Sequence, residues 1–494
     1  MRKLLPALIL VSAGGAHAYN EAIHGLITRR ALESRPDMGE ALQPPTPADL
    51  DAFRALFWRT ASADAAFAGQ YPSAAAFGAW EFKEFFMLDP AARVHGFDPT
   101  PEEAKPLPRA DLLALASRWP DDDERNRHRY LRDAKTRQIV AAPDGSPLPY
   151  DPATLDFGGL GGISSQGHAH YGLIDGPLSD DPEVLKKDPR RFAVPPTAHA
   201  VGAEFSQLYT DLALLAASSG LPSAQWLTAT FAGAAFHHLE DVCNQIHTVQ
   251  VGIYEFFESA FWQSKLRDLK TLGGLLGERR SLKQIGLRLI ANHHLLSEDL
   301  FARRSALGQP LANDARTEQR ALDKIALAGG WMGLGLAKAL IEESSFEAPQ
   351  IYRLSWAFSA RTLHDGVSGH EYDGSKGDDP EAYLESSAAA EQAVSDFFGL
   401  ENRGLVRAAT ALRLWQRLFD AEHENAAPDL LRRRAAEREL QILLPYHAQA
   451  AQRRAAYQPA SPQGAGIAWG YPAAAAALLA GAAALVWSRR SKRW

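Results

Sequence analysis

The 494-residue chain reads as an all-α, multi-helix globular protein with one membrane-crossing helix near its C-terminal end. Three observations carry this. Apolar residues recur three and four positions apart in "FSQLYTDLALLAASSG" (205–220), "SLKQIGLRLIANHHLLSEDLFARR" (281–304) and "LVRAATALRLWQRLFDAEHENA" (405–426). That period gives a helix one buried face. Alternating β-branched runs, the mark of half-buried strands, are scarce. The stretch Gly464 to Trp487 holds no charged residue and is followed by the basic "SRRSKRW", a pattern long enough to span a bilayer and stop with its basic end in the cytoplasm.

Taken in order, residues 1–18 form a secretory leader. Arg2 and Lys3 precede the short apolar run "LLPALILV", and "AHA" closes it with small residues suited to cleavage. The mature chain then begins at Tyr19. A helical body occupies 19–345, and a helical extension packed on it occupies 346–457. Residues 458–466 ("QPASPQGAG") form a linker, 467–487 the span and 488–494 a basic cytoplasmic tail. Pro- and Gly-rich connections fall at 88–110, 140–197 and 364–380, lengths that in a compact domain accompany function or motion. The body is thus expected outside the cytoplasm, held at the membrane or released after processing.

Composition narrows the function classes. Hydrophobic residues make up 46% and charged residues 22% of the chain, as in folded globular proteins. A net charge of −7 argues against a global attraction to nucleic acid or anionic lipid. With Cys243 the single cysteine, no intrachain disulfide can form, and stability must come from packing or bound metal. No G-x-S-x-G elbow, phosphate-binding Gly-rich loop or dinucleotide fingerprint occurs, against serine hydrolases, kinases and NAD enzymes. The basic runs 277–283 and 430–439 read as solvated helix faces.

Chemistry concentrates in "AAFHHLEDVCNQIHTVQ" (234–250). On a helix, residues i and i+4 share a face, so His237 and Asp241 can present an imidazole and a carboxylate to one metal ion. On a continuous ideal helix His247 points about 80° away from His237 and suits a neighbouring ion better. His294 and Glu298 repeat the i, i+4 device. A single His-x-x-x-acid pair means little, since chance gives roughly two in this composition; a His six residues after the acid lowers the expectation to roughly 0.06. A free α-amino group at Tyr19 can chelate with its own carbonyl oxygen, and His24 follows five residues later.

This ordered series resembles the all-α, zinc-dependent phospholipase C proteins and the related zinc-dependent single-strand-specific nucleases, over roughly residues 19–300. The resemblance implies a trinuclear zinc site. One ion would take Asp121, His170, His237 and Asp241. A second would take the Tyr19 backbone, His24 and a bridging Asp241. A third would take His247, His294 and Glu298. Asp121, in "SRWPDDDERN", has Asp122 and Asp123 as rivals, and His170, in "GHAHYGL", has His168 and His128. The Asp121-to-His170 and His247-to-His294 intervals are longer than the family's, and "NQI" replaces its usual Gln-Pro before His247.

The same resemblance implies a zinc-dependent hydrolase of phosphodiester bonds. Asp121 would serve as the catalytic group on the attacking water, 19–345 as the catalytic domain and a phospholipid membrane as the substrate. Single-stranded nucleic acid is the alternative substrate. A non-catalytic helical protein with structural zinc is the rival from another class. No protein partner is expected.

Overall fold

The computed structural model describes residues 21–88, 104–122, 136–141, 202–248, 296–304, 311–358, 377–384 and 386–456, with isolated positions between them. The architecture there is all-α, as the periodicity predicts. The helices that build it are α1 (Glu21–Leu32), α2 (Pro47–Ala61), α3 (Ala65–Gln70), α4 (Ala79–Phe85), α5 (Arg109–Ala116), α6 (Trp119–Asp122), α7 (Gly202–Ala217), α8 (Ala224–Cys243), α9 (Ala315–Leu327), α10 (Met332–Phe358), α11 (Ala388–Asn425) and α12 (Pro428–Ala456). The one sheet among the described residues pairs β1 (Ala41–Leu42) antiparallel with β2 (Leu107–Pro108).

Helix starts follow local chemistry. Thr46 and Asp49 form a reciprocal capping box ahead of Pro47 at the start of α2, satisfying amide donors that the helix cannot. Asp64, Asp314 and Ser387 cap α3, α9 and α11 by accepting from backbone N–H groups. Between α9 and α10 the chain reverses through Gly329 and Gly330 at φ +68° and +85°, a left-handed conformation that side chains resist.

The core is organised around α8. From Trp226 to Cys243 its side chains are buried on every face, which marks a helix enclosed by others rather than an amphipathic surface helix. It packs against α1, α5, α7, α10 and α11. Gly233 permits the approach of α5: a Cβ there would stand 2.5 Å from the Ala116 Cβ and 2.7 Å from the Leu113 carbonyl oxygen. Helix α10 runs unbroken past residue 345, the expected division between body and extension, and α11 packs on α1, α8, α9 and α10. The same core continues between α2, α3 and α4 through Phe53, Phe57, Phe67, Phe77, Phe82 and Phe85, all buried, with Phe53 stacked on Phe231 of α8.

By contact density the chain divides into two units, Met1–Arg129 with Ala153–Gln449, and Tyr130–Pro152 with Ala450–Trp494. His24, Asp121, His237 and Asp241 all belong to the first. Among the described residues, no helix is long and apolar enough to cross a membrane. The expected leader (1–18), linker (458–466), span (467–487) and tail (488–494) lie outside them.

Candidate metal centre

Three helices bring the central residues together. His24 projects from the first turn of α1, Asp121 from α6, and His237 and Asp241 from the last two turns of α8; all four are buried. His24 and His237 face one another with ring centroids 4.2 Å apart. Each carboxylate reaches both imidazoles. Asp121 Oδ2 is 3.6 Å from His24 Nε2, and its Oδ1 is 3.6 Å from His237 Nε2. Asp241 Oδ1 is 3.5 Å from His24 Nε2, and its Oδ2 is 3.0 Å from His237 Nε2.

The other nitrogen of each ring is held from behind. His237 Nδ1 bonds the Ser117 carbonyl oxygen at 2.8 Å, at the junction of α5 and α6. His24 Nδ1 bonds Glu240 Oε2 at 2.7 Å, and the Thr28 hydroxyl donates to Glu240 Oε1 at 2.8 Å. With Nδ1 serving as the donor on each ring, the Nε2 lone pairs are directed at the two aspartates. Two ligands of one tetrahedral ion with bonds of about 2.0–2.2 Å stand about 3.4 Å apart, and three of the four N–O separations fall within a few tenths of an ångström of that. The donor set therefore fits a metal ion. His24, Asp121 and His237 offer ligand atoms within 4.8 Å of one another, and so do His237, His238 and Asp241.

Electrostatics points the same way. Burial lowers the affinity of His237 for a proton, but Asp241 and Asp121 outweigh it and raise the pKa above the ordinary imidazole value. Burial pushes the Glu240 carboxyl well above its usual range; the Thr28 hydroxyl opposes this, and Asp241 and Asp121 add to it. Three carboxylates in one enclosed space are costly as anions, and a divalent cation is the charge that lets them ionise together.

The remaining expected residues divide into two groups. His247 and Glu298 are described and buried, with His247 Nε2 3.8 Å from Glu298 Oε1. The expectation that His247 continues the same helix is corrected. Helix α8 ends at Cys243, Asn244 turns extended at φ −74° and ψ 121°, and His247 sits on a separate 3₁₀ turn, Gln245–His247. Its direction is therefore set by that turn and not by helical phase. The Tyr19 backbone, His170 and its rivals His168 and His128, His294, and Asp123 lie outside the described residues, as does the side chain of Asp122. One reading of the basic runs is also corrected: in 430–439, Arg438 is half-buried and paired with the buried Asp211 rather than solvated.

Sequence reasoning missed Glu240, Thr28, Ser117 and His238. Thr28 lies four residues after His24 and so shares its helix face, the one signal available in advance. Ser117 acts through its backbone carbonyl, which carries no residue signature. His238 stacks on Tyr209, rings 5.5 Å apart and within 7° of parallel, with its Nδ1 3.9 Å from Asp241 Oδ2.

No family model, curated protein or solved structure matches the chain. The fold and the site define its class directly: an all-α protein whose core encloses a buried His/Asp cluster able to hold a metal ion.

Proposed function

We propose that the chain is an exported, zinc-dependent phosphodiester hydrolase of the phospholipase C type. One observation supports this above the others: Asp121 and Asp241 close with His24 and His237 into one buried donor cluster of the ligand types zinc takes, with each carboxylate within reach of both imidazoles. His237 with Asp121 and Asp241 would hold one zinc ion, and His24 with a bridging Asp241 a second. In the full reading, the Tyr19 backbone and His170 complete these sites, and His247 and Glu298 hold a third ion with His294.

Zinc bound there supplies a water acidic enough to be hydroxide near neutral pH and an electrophile for phosphate oxygens. The protein's own residues do the rest. The Ser117 carbonyl and Glu240 fix the two imidazoles, and Asp121, holding zinc through one carboxylate oxygen, would accept the proton of the attacking water at the other. Burial keeps bulk water from screening these charges. The apolar segment 467–487 would keep the body beside its lipid substrate.

The five-residue interval from Tyr19 to His24 favours a second reading, a single-strand nuclease. A paired assay of the full, correctly processed, zinc-replete chain decides. Hydrolysis of phosphatidylcholine vesicles to phosphocholine and diacylglycerol, without cleavage of single-stranded DNA or RNA, is the expected result. Cleavage of the nucleic acids alone selects the nuclease. Bound zinc with neither activity makes the metal structural and overturns the proposal.

A further inference from the structure

The two imidazoles of the cluster are anchored by different chemistry. His237 Nδ1 meets a neutral backbone carbonyl. His24 Nδ1 meets a carboxylate, Glu240, whose second oxygen is tied to the Thr28 hydroxyl one helical turn along α1. Both oxygens of Glu240 are thus occupied, so it serves behind His24 and not beside it among the ligands. The link is long-range in sequence and closed in space: Thr28 and His24 lie on α1, Glu240 on α8, and all three are buried.

A carboxylate behind a metal-bound histidine does two things that a carbonyl does less well. It fixes the tautomer with the proton on Nδ1, and it raises the basicity of the opposite nitrogen. We infer that Glu240 and Thr28 form a positioning relay that sets zinc affinity on the His24 side of the cluster more strongly than on the His237 side. This rests on the proposed zinc site and adds an asymmetry to it: the His24-side ion depends on a side-chain charge, while the His237-side ion depends on the fold of the α5–α6 junction.

The test is zinc uptake by the full chain across buffered free-zinc concentrations, with stoichiometry read by elemental analysis, comparing wild type with Glu240→Gln. Glutamine keeps the shape and a carbonyl acceptor but removes the charge. The expected result is that one uptake step shifts to higher free zinc by about 10- to 100-fold, while the others shift by clearly less and the zinc-free far-UV circular dichroism is unchanged. Thr28→Val, which leaves the carboxylate and removes only its brace, should shift the same step by a smaller factor. It provides the measurement if Glu240→Gln fails to fold. If no step moves, or if all steps move by the same factor, the relay is overturned while the metal site stands. If wild type takes up no zinc, the metal-site reading falls and the relay with it.

Discussion

Asp241 on α8 and Asp211 on α7 are both fully enclosed carboxylates in one helical core, yet they face opposite kinds of neighbour. Asp211 accepts from Arg438 Nε at 2.6 Å and from Gln207 Nε2 at 2.8 Å, and Glu422 lies 3.7 Å from the same guanidinium. Its positive charge is built into the chain. Asp241 instead faces Nε2 atoms of two histidines whose rings are clamped from behind. An arginine closes a buried acid permanently and ties α12 to α7. Clamped imidazoles with Nε2 turned inward leave the compensating charge to be supplied by an ion. The first arrangement serves the fold, and the second is suited to chemistry.

The contrast breaks if the aspartate among the histidines proves structural. Under the proposed function Asp241→Asn removes a shared ligand, so zinc content should fall and any phosphodiesterase kcat/KM should drop by on the order of 10⁴-fold, with the zinc-free protein no less stable in urea. Elemental analysis and steady-state kinetics check this. Full zinc retention by Asp241→Asn would erase the distinction. The converse substitution, Arg438→Met, leaves Asp211 buried without its partner. Stability should fall by about 3–5 kcal/mol, read by urea unfolding, while the zinc stoichiometry of the folded fraction holds. Loss of zinc in that variant would show that the two clusters are coupled.

How much of this could be read in advance depends on where the information sits. Helical periodicity exposes α7 and α11 because each carries its pattern within itself. The His237–Asp241 pair was legible for the same reason, as both residues lie on one face of one helix. The pairing of His24 with Glu240 spans 216 positions and was not, because nothing in a local pattern states which helices pack together. The helical phase expected for His247 fails because Asn244 ends the helix before it. The run 430–439 illustrates the limit from another side. Composition shows several basic residues on a helix, but only packing against α7 decides that Arg438, and not its neighbours, becomes the partner of a buried acid.

The smallest effect expected is also the sharpest test of what makes the arginine-balanced cluster costly. Burial raises the Asp211 pKa to about 6; Arg438 and Gln207 oppose this, and Glu422 adds to it. Glu439, beside Arg438 on α12, is buried with no hydrogen-bond partner for either carboxyl oxygen among the described residues. Burial raises its pKa well above 4.5, Asp211 raises it further, and Arg438 opposes the shift. One guanidinium is thus shared among acids that cannot all ionise cheaply. In the folded state Glu439 holds its proton at a pH where the unfolded chain has lost it. Its contribution to stability is therefore complete below about 4.5 and is lost as pH rises through the raised value. Glutamine carries no such proton, so Glu439→Gln should melt at the same temperature as wild type near pH 4 and a few degrees higher near pH 8. The difference should grow across the interval between. Thermal melts of both proteins at matched ionic strength read it directly. A wild type that gains on the variant with rising pH would mean that Arg438 fully ionises Glu439, and that the cluster carries no surplus negative charge.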